Sequence, residues 1–390
     1  MTDRGNGWIA SERSRRAKSA VAVALSFIIL LGGVGFGLWK GYAAYMDWRQ
    51  DEDYIGDGAD PVEVYIPPTA GTVGRIADIL VANEVIRDPR VFENAAIEKG
   101  VDTSMPSGTF NLLTHLPAAT ALDMLFDAKN RVQLKLTIQE GWRLSQIKAE
   151  MIKVLQITEE DVDQALAQIA ADPGSHHLNT AWVTDPAYPE GYLFPDTYFV
   201  EPHNALAALD MMTAQFATVT GPEGLNLDAA AANLSTNLGL TITPAQVVIV
   251  ASIIEGEVNQ DQYRPMVARA IYNRLAINMP LGIESAFRYG RERANGTPYD
   301  DGVSTAEQND ASLPYNFYIR TGLPDTPISN PSRSAMEAAL NPTPGDWIYW
   351  LTTNPTTGET GFASDDAGYI ALRDTFIQWC SDNGNPASLC

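Results

Sequence analysis

Residues 243–258, TPAQVVIVASIIEGEV, constrain this chain more than any other stretch. Thr243 has the side chain of an N-cap, Pro244 suits the first helical position, and Gln246 stands where a capping box needs its amide. Val247, Val248, Ile249, Val250, Ala251, Ile253 and Ile254 then put apolar surface on every face, so the helix belongs in a core that other elements must wrap. Glu255 ends the run. A carboxyl group at the end of so apolar a helix is expected to be partly desolvated and to stay protonated near neutral pH, which is the state a general acid needs. The alternative is a solvated glutamate on a frayed last turn. Against it, a glutamate at a helix C-terminus opposes the macrodipole at a cost of ~0.3–1 kcal/mol. Gly256 and Glu257 follow, where the chain is expected to leave the helix and open a cleft. Glu257 is the rival acid, but two positions along a helix turn it about 200° away, so the two carboxyls cannot share one cleft while the helix continues. Glu255 is taken as the catalytic residue, with Glu257 and Ser252 as supporting groups.

The N-terminus points to a membrane. Residues 19–39 run for twenty-one positions without a charge, close to the ~20 that cross a hydrocarbon core. Arg4, Arg13, Arg15, Arg16 and Lys18 precede them, and Asp47, Asp51, Glu52, Asp53 and Asp57 follow. The positive-inside rule therefore places residues 1–18 in the cytoplasm and everything after residue 39 outside, as a single-pass protein of the cytoplasmic membrane. A cleaved signal peptide is the other reading, but the apolar run exceeds a typical signal core. Residues 1–18 carry +3 of the formal −22, leaving −25 beyond them. That acidity argues against nucleic-acid partners. Four histidines and two cysteines leave little for a metal site, and no cofactor is expected. Cys380 and Cys390 would lie where a disulfide can persist, closing a short C-terminal loop.

The remaining pattern is α+β. Residues 40–60 read as an acidic linker. Residues 61–130 read as strand (62–66), helix (72–83), helix (88–100), strand (108–113) and a further short helix (118–126), a small βααβ subdomain of the kind seen in glycan-binding modules. Residues 131–390 form a mixed α+β domain. It opens on a strand at 132–138, with amphipathic helical sequence to residue 171. An aromatic strand follows at 189–200, then helices at 204–219, 243–258 and 263–279. Residues 281–290 and 315–322 read as loops or short strands, 332–340 as a helix, and 347–352 as the last strand.

Several segments carry a resemblance in a fixed order: EGWRL (140–144), PEGYLFPDTY (189–198), ASIIEGEV (251–258), YNRL (272–275), LGIESAFRYG (281–290), YNFYIRTGLP (315–324), PISNP (327–331) and WIYWLTTN (347–354). Together they resemble the MltG (YceG-like) family of endolytic murein transglycosylases. The resemblance implies an N-terminal transmembrane helix, a LysM-like subdomain and a catalytic domain with one essential glutamate, which it sets on Glu255. It implies cleavage of the β-1,4 bond between N-acetylmuramic acid and N-acetylglucosamine within nascent glycan strands. One carboxyl protonates the departing oxygen and then deprotonates the muramoyl 6-hydroxyl, giving 1,6-anhydro ends. Tyr315, Asn316 and Tyr318 are expected to contact sugars. Glu284, Asn273 and Arg274 complete the substrate side, the last two by orienting loops, with a structural salt bridge as the alternative role of Arg274. Two places depart from the family pattern: Glu284 stands in LGIESA where an aspartate before proline is usual, and Tyr369 stands where a histidine is usual.

The expected partners are peptidoglycan strands, the membrane through one span and, since the acidic outer part is not drawn to anionic wall polymers, a peptidoglycan synthase that recruits it. Two other functions fit the same residues. A hydrolytic muramidase would use Glu257 or Glu284 to position water. A non-catalytic wall-binding or divisome scaffold would keep the fold alone, a reading that only the altered LGIESA loop suggests.

Overall fold

The computed structural model describes residue 40, residues 53–296 and residues 302–384. The expected span at 19–39, the tail before it, most of the linker and Cys390 lie outside the described residues. Among those described, no helix is long and apolar enough to cross a membrane. Cys380 is held in a disulfide. The chain divides into two compact units, Met1–Arg131 and Val132–Cys390.

In the first unit, β1 (Pro61–Ile66) pairs antiparallel with β2 (Gly108–Leu113), in register from Pro61 opposite Leu113 to Ile66 opposite Gly108. Between them run α1 (Val73–Ala82) and α2 (Pro89–Lys99), and α3 (Ala118–Phe126) follows. Strand alternation turns Val64, Ile66, Phe110 and Leu112 to one face, where they bury against Ile76, Leu80, Phe92 and Leu122. The helix starts are fixed chemically: the Thr72 hydroxyl accepts from the Arg75 amide and the Asp88 carboxylate from the Arg90 amide. Gly100, in the left-handed region at φ 68°, stops α2. The strand and helix order is that expected from the alternation and caps.

The second unit carries β3 (Leu134–Thr137), α4 (Leu144–Leu155), α5 (Glu159–Ala171), β4 (Thr197–Val200), α6 (Ala205–Thr220), α7 (Leu227–Leu238), α8 (Pro244–Glu257), α9 (Arg264–Ala276), α10 (Glu284–Asn295), α11 (Thr305–Gln308), α12 (Arg333–Leu340), β5 (Tyr349–Asn354), β6 (Glu359–Ala363) and α13 (Asp366–Asp382). Among the described residues its sheets are two antiparallel pairs, β3–β4 and β5–β6. The organising element is α8. Its capping box forms between Thr243 and Gln246, and every side chain from Val247 to Ile254 is buried. Helices α7, α9, α10 and α12 pack around it. At roughly 1.5–3 kcal/mol for each large aliphatic side chain taken from water, this one helix anchors much of the unit's core.

Four expectations change. Residues 189–196 are turns, and only Thr197–Val200 is strand. Residues 281–290 are not a loop: from Glu284 they form α10, with Ala286, Phe287, Tyr289 and Gly290 buried along one side. WIYW does not open the last strand, because β5 turns through residues 355–358 into β6 and α13 follows. Helix α7, which the sequence reading left unassigned, is Ala- and Asn-rich and buries only Leu227, Ala231 and Leu234. So thin an apolar stripe gives little period to read.

Three of the quoted motifs meet at one knot. Asn330, fully buried, accepts from the amides of Gly191 (3.0 Å) and Leu193 (2.9 Å) through Oδ1, and donates through Nδ2 to Trp142 O and Glu190 Oε1, both at 2.9 Å. Glu190 also accepts from the Leu144 amide at 3.1 Å. Gly191 has φ 88°, and a Cβ there would lie 2.3 Å from the Pro327 ring. Glycine is therefore required at 191 by both conformation and space. Burial pushes the Glu190 carboxyl up to about 8, against the pull of the Leu144 amide. Its folded-state value lies above the unfolded one, so the native state keeps a proton that the unfolded chain releases. The resulting stabilisation is fully present below about pH 4.5 and is lost as pH rises through about 8. Unfolding free energies from urea titrations across this window are expected to fall with pH more steeply in the native chain than in Glu190→Gln, by up to about 1.4 kcal/mol per pH unit. Equal slopes would mean that Glu190 titrates normally.

Candidate active site

The last turn of α8 sends its two glutamates to opposite sides, because the helix continues through Gly256 to Glu257. Glu255 turns inward. Its side chain is 6% exposed, and its Oε1 pairs with Arg264 Nη2 at 2.8 Å. Its Oε2 accepts from the Ser332 amide at 2.9 Å and the Ser332 hydroxyl at 2.5 Å. Arg264 donates in turn to Ser332 Oγ at 2.7 Å and to Ser334 Oγ. Ser332 is the N-cap of α12, so one ion pair ties the end of α8 to the starts of α9 and α12. The expected apolar setting for Glu255 is thus replaced by a ring of hydrogen-bond donors, the setting of a structural ion pair.

Glu257 turns outward into a groove of about 650 Å³, which Arg274, Gly282, Glu284, Tyr318, Tyr349, Trp350 and Tyr369 also line. Its Oε1 accepts from the Ser285 hydroxyl at 2.7 Å and more weakly from the Ser285 amide at 3.4 Å. Its Oε2 accepts from Trp350 Nε1 at 3.2 Å. Burial pushes the Glu257 carboxyl above its ordinary value, while the hydrogen bonds from Ser285 and Trp350 pull it down and the neighbouring Glu284 charge adds to the rise. The side chain is half-buried, and the groove gives it access to solvent. A carboxyl group so placed can hold a proton and present it to a ligand.

The other expected site residues divide. Glu284 and Tyr318 line the groove, with Glu284 paired to Arg288 at 2.8 Å one helical turn on. Arg274 lines it too, but is held from behind. It donates to Pro280 O at 3.2 Å and to the carbonyls of Leu281 and Ile348, and its guanidinium lies 5.2 Å from the Tyr349 ring centre and 4.9 Å from that of Trp350. Arg274 thus orients loops through these carbonyls, and among the described residues it forms no salt bridge, the alternative role the sequence left open. Asn273 orients a loop, donating to Gly345 O at 3.1 Å and Trp347 O at 2.8 Å. Asn316 is fully buried, and its amide donates to Glu307 O, Gln308 O and Asp310 O at 2.9–3.1 Å, so its hydrogen bonds hold a turn and leave none for a sugar. Tyr315 packs edge-on to Tyr289 at 5.0 Å, bonds Thr326 Oγ1 at 2.7 Å and is not among the groove-lining side chains. Ser252 is fully buried and takes the Ile328 amide at 3.0 Å, which fixes the PISNP segment to α8. Ser285, Trp350 and Tyr349 were not singled out from the sequence. The aromatic run WIYWLT carried a signal for Tyr349 and Trp350, whereas nothing in LGIESA marked Ser285. Among the described residues, no cluster of three or more His, Cys, Asp or Glu side chains is placed to hold a metal ion.

A carboxyl whose pKa burial raises, set in an aromatic groove, is the build of an acid–base enzyme. Residues 64–372 match the YceG-like family, and the chain belongs to that family. It is 27% identical over 329 residues to the endolytic murein transglycosylase of Bacillus subtilis, covering 82% of this chain and 86% of that one. It is 26% identical over 364 residues to the endolytic murein transglycosylase of Streptococcus pneumoniae strain D39, covering 88% of this chain and 63% of the longer relative. A solved yceG-like protein from Listeria monocytogenes superposes with a TM-score of 0.49 at 25% identity, covering 80% of this chain and 99% of that one.

Removing the charge of Glu255 leaves Arg264, itself 7% exposed, with the exposed Asp261 at 3.2 Å as its ion pair among the described residues and Glu140 as a more distant anion. Glu255→Gln is therefore expected to cost about 3 kcal/mol of stability, read from chemical denaturation of the full chain. A loss below about 0.5 kcal/mol would mean that solvent screens the pair.

Proposed function

We propose that this chain is a membrane-anchored endolytic murein transglycosylase in which Glu257, not Glu255, is the acid–base residue. The observation that carries the reading is the contrast between the two carboxyls: both oxygens of Glu255 are tied into an ion pair, whereas Glu257 opens on the groove. In this reading Glu257 protonates the glycosidic oxygen between N-acetylmuramic acid and N-acetylglucosamine as the anomeric carbon gains oxocarbenium character. The carboxylate left behind takes the proton of the muramoyl 6-hydroxyl, which closes onto the anomeric carbon as a 1,6-anhydro ring. No water is consumed. Tyr318, Tyr349, Tyr369 and Trp350 offer ring faces to pyranoses along the groove.

The span at 19–39 would hold the unit beside nascent strands, and the βααβ unit would bind glycan in the manner of a LysM module. Recruitment would come from a synthase, because an outer charge of −25 is repelled by anionic wall polymers. A hydrolytic muramidase is the second reading, supported by Glu284 in the same groove. Its pairing with Arg288 weighs against a role in activating water.

Uncrosslinked nascent strands incubated with the full chain in detergent, and read by mass spectrometry, are expected to gain ends lighter by one water than reducing ends. Glu257→Gln is expected to lower the rate by at least about 10²–10⁴-fold. The folded fraction of Glu255→Gln keeps cutting. Water-containing ends would replace this reading with the muramidase, and full activity in Glu257→Gln would return the acid to Glu255.

A further inference from the structure

Helix α10 begins without a cap of its own. Its N-cap residue, Ile283, has no side-chain oxygen, and no side-chain hydrogen bond closes the first turn from that position. The amide of Ser285, the second residue of the helix, is one of the donors that a helix start leaves without a partner. It finds its acceptor across the domain, at Glu257 Oε1. The Ser285 hydroxyl reaches the same oxygen. This approach depends on Gly256, where an added Cβ would lie 2.9 Å from Ser285 Cβ. The last turn of α8 and the first turn of α10 thus touch through a glycine, and the carboxyl beyond the glycine serves as the cap.

The donors are distributed unequally between the two oxygens. Oε1 receives two, the Ser285 amide and hydroxyl, and an amide can only donate. Oε2 receives one, from Trp350 Nε1. Each carboxyl oxygen has two lone pairs, so Oε1 is fully engaged and Oε2 keeps one free. We propose that Ser285 is a positioning residue for Glu257: its two donors reserve Oε1 as an acceptor and leave the acid's proton on Oε2. The inference rests on Glu257 as the acid. Once the proton has gone to the leaving oxygen, the same two donors and the start of α10 hold the new carboxylate, so the arrangement favours the charged form as it appears.

Other groups facing Glu257 are Glu284 with Arg288 on α10, Arg274 on α9, Tyr318 on its loop, Tyr349 on β5 and Tyr369 on α13. None of them donates a hydrogen bond to Oε1, so the effect of Ser285 can be separated by substitution. In the full chain, Ser285→Ala is expected to move the basic limb of the kcat/KM profile upward by about one pH unit, as loss of a hydrogen bond to a charged group requires. The carboxyl ¹³C titration of Glu257, assigned by its disappearance in Glu257→Gln, should move by the same amount. Ser285→Thr, which keeps the hydroxyl, should restore both. Ser285→Cys, close in size with a weaker donor, should shift both in the same direction by less, and it serves if Ser285→Ala does not fold. An unmoved limb and titration in a folded Ser285→Ala or Ser285→Cys chain would overturn the proposal while leaving Glu257 as the acid. Activity that survives Glu257→Gln would instead remove the acid assignment, and the titration alone would still decide whether Ser285 holds that carboxyl.

Discussion

One buried ion pair sets how the catalytic unit is assembled. Glu255 and Arg264 belong to consecutive helices, and Ser332 brings the start of a third to Oε2 of the same carboxylate. The geometry has little slack: each partner is nearly sealed from solvent, and a charge left alone there would cost several kcal/mol. With α8, α9 and α12 joined at this point, the remaining turn of α8 has a defined direction. That direction delivers Glu257 to the groove.

The walls of the groove are assembled with comparable economy of contact. Arg274 binds three backbone carbonyls and lies against two aromatic rings, so it ties the approach to α10 to the β5–β6 hairpin while presenting a cationic edge to the cavity. Tyr349 stacks on Tyr369 at 4.9 Å, which carries the aromatic wall from the hairpin onto α13. A site built this way takes single residues from several helices and four consecutive ones from β5. The short, paired strands act as brackets for side chains, and among the described residues no continuous sheet lies beneath them.

Much of the scaffold was legible because it follows from local rules. The capping box at Thr243, the Asp88 cap, the Gly100 stop and the alternation in β1 and β2 are all decided within a few residues. Helix α8 was legible as core for the same reason. Which carboxyl faces the groove was harder to read. The helical period correctly separates Glu255 from Glu257, but which of two opposite faces meets a groove depends on Arg264, Ser332, Ser285 and Trp350, which lie up to 93 residues away in sequence. Asn316 illustrates the opposite error. A polar residue in a recognisable motif suggested ligand contact, while its amide is spent on three carbonyls of its own turn. Asn330 and Glu190 likewise show that a motif can owe its form to folding rather than chemistry.

The continuous winding of α8 through Gly256 also limits how this chain can change. Every residue added to or removed from the helix between Thr243 and Ile254 would rotate its end by about 100°. Such a slip would pull Glu255 from its arginine and Glu257 from its groove in a single step. The length of this segment is therefore as fixed as the identity of either glutamate, and variation in the chain has to be absorbed in its connections instead.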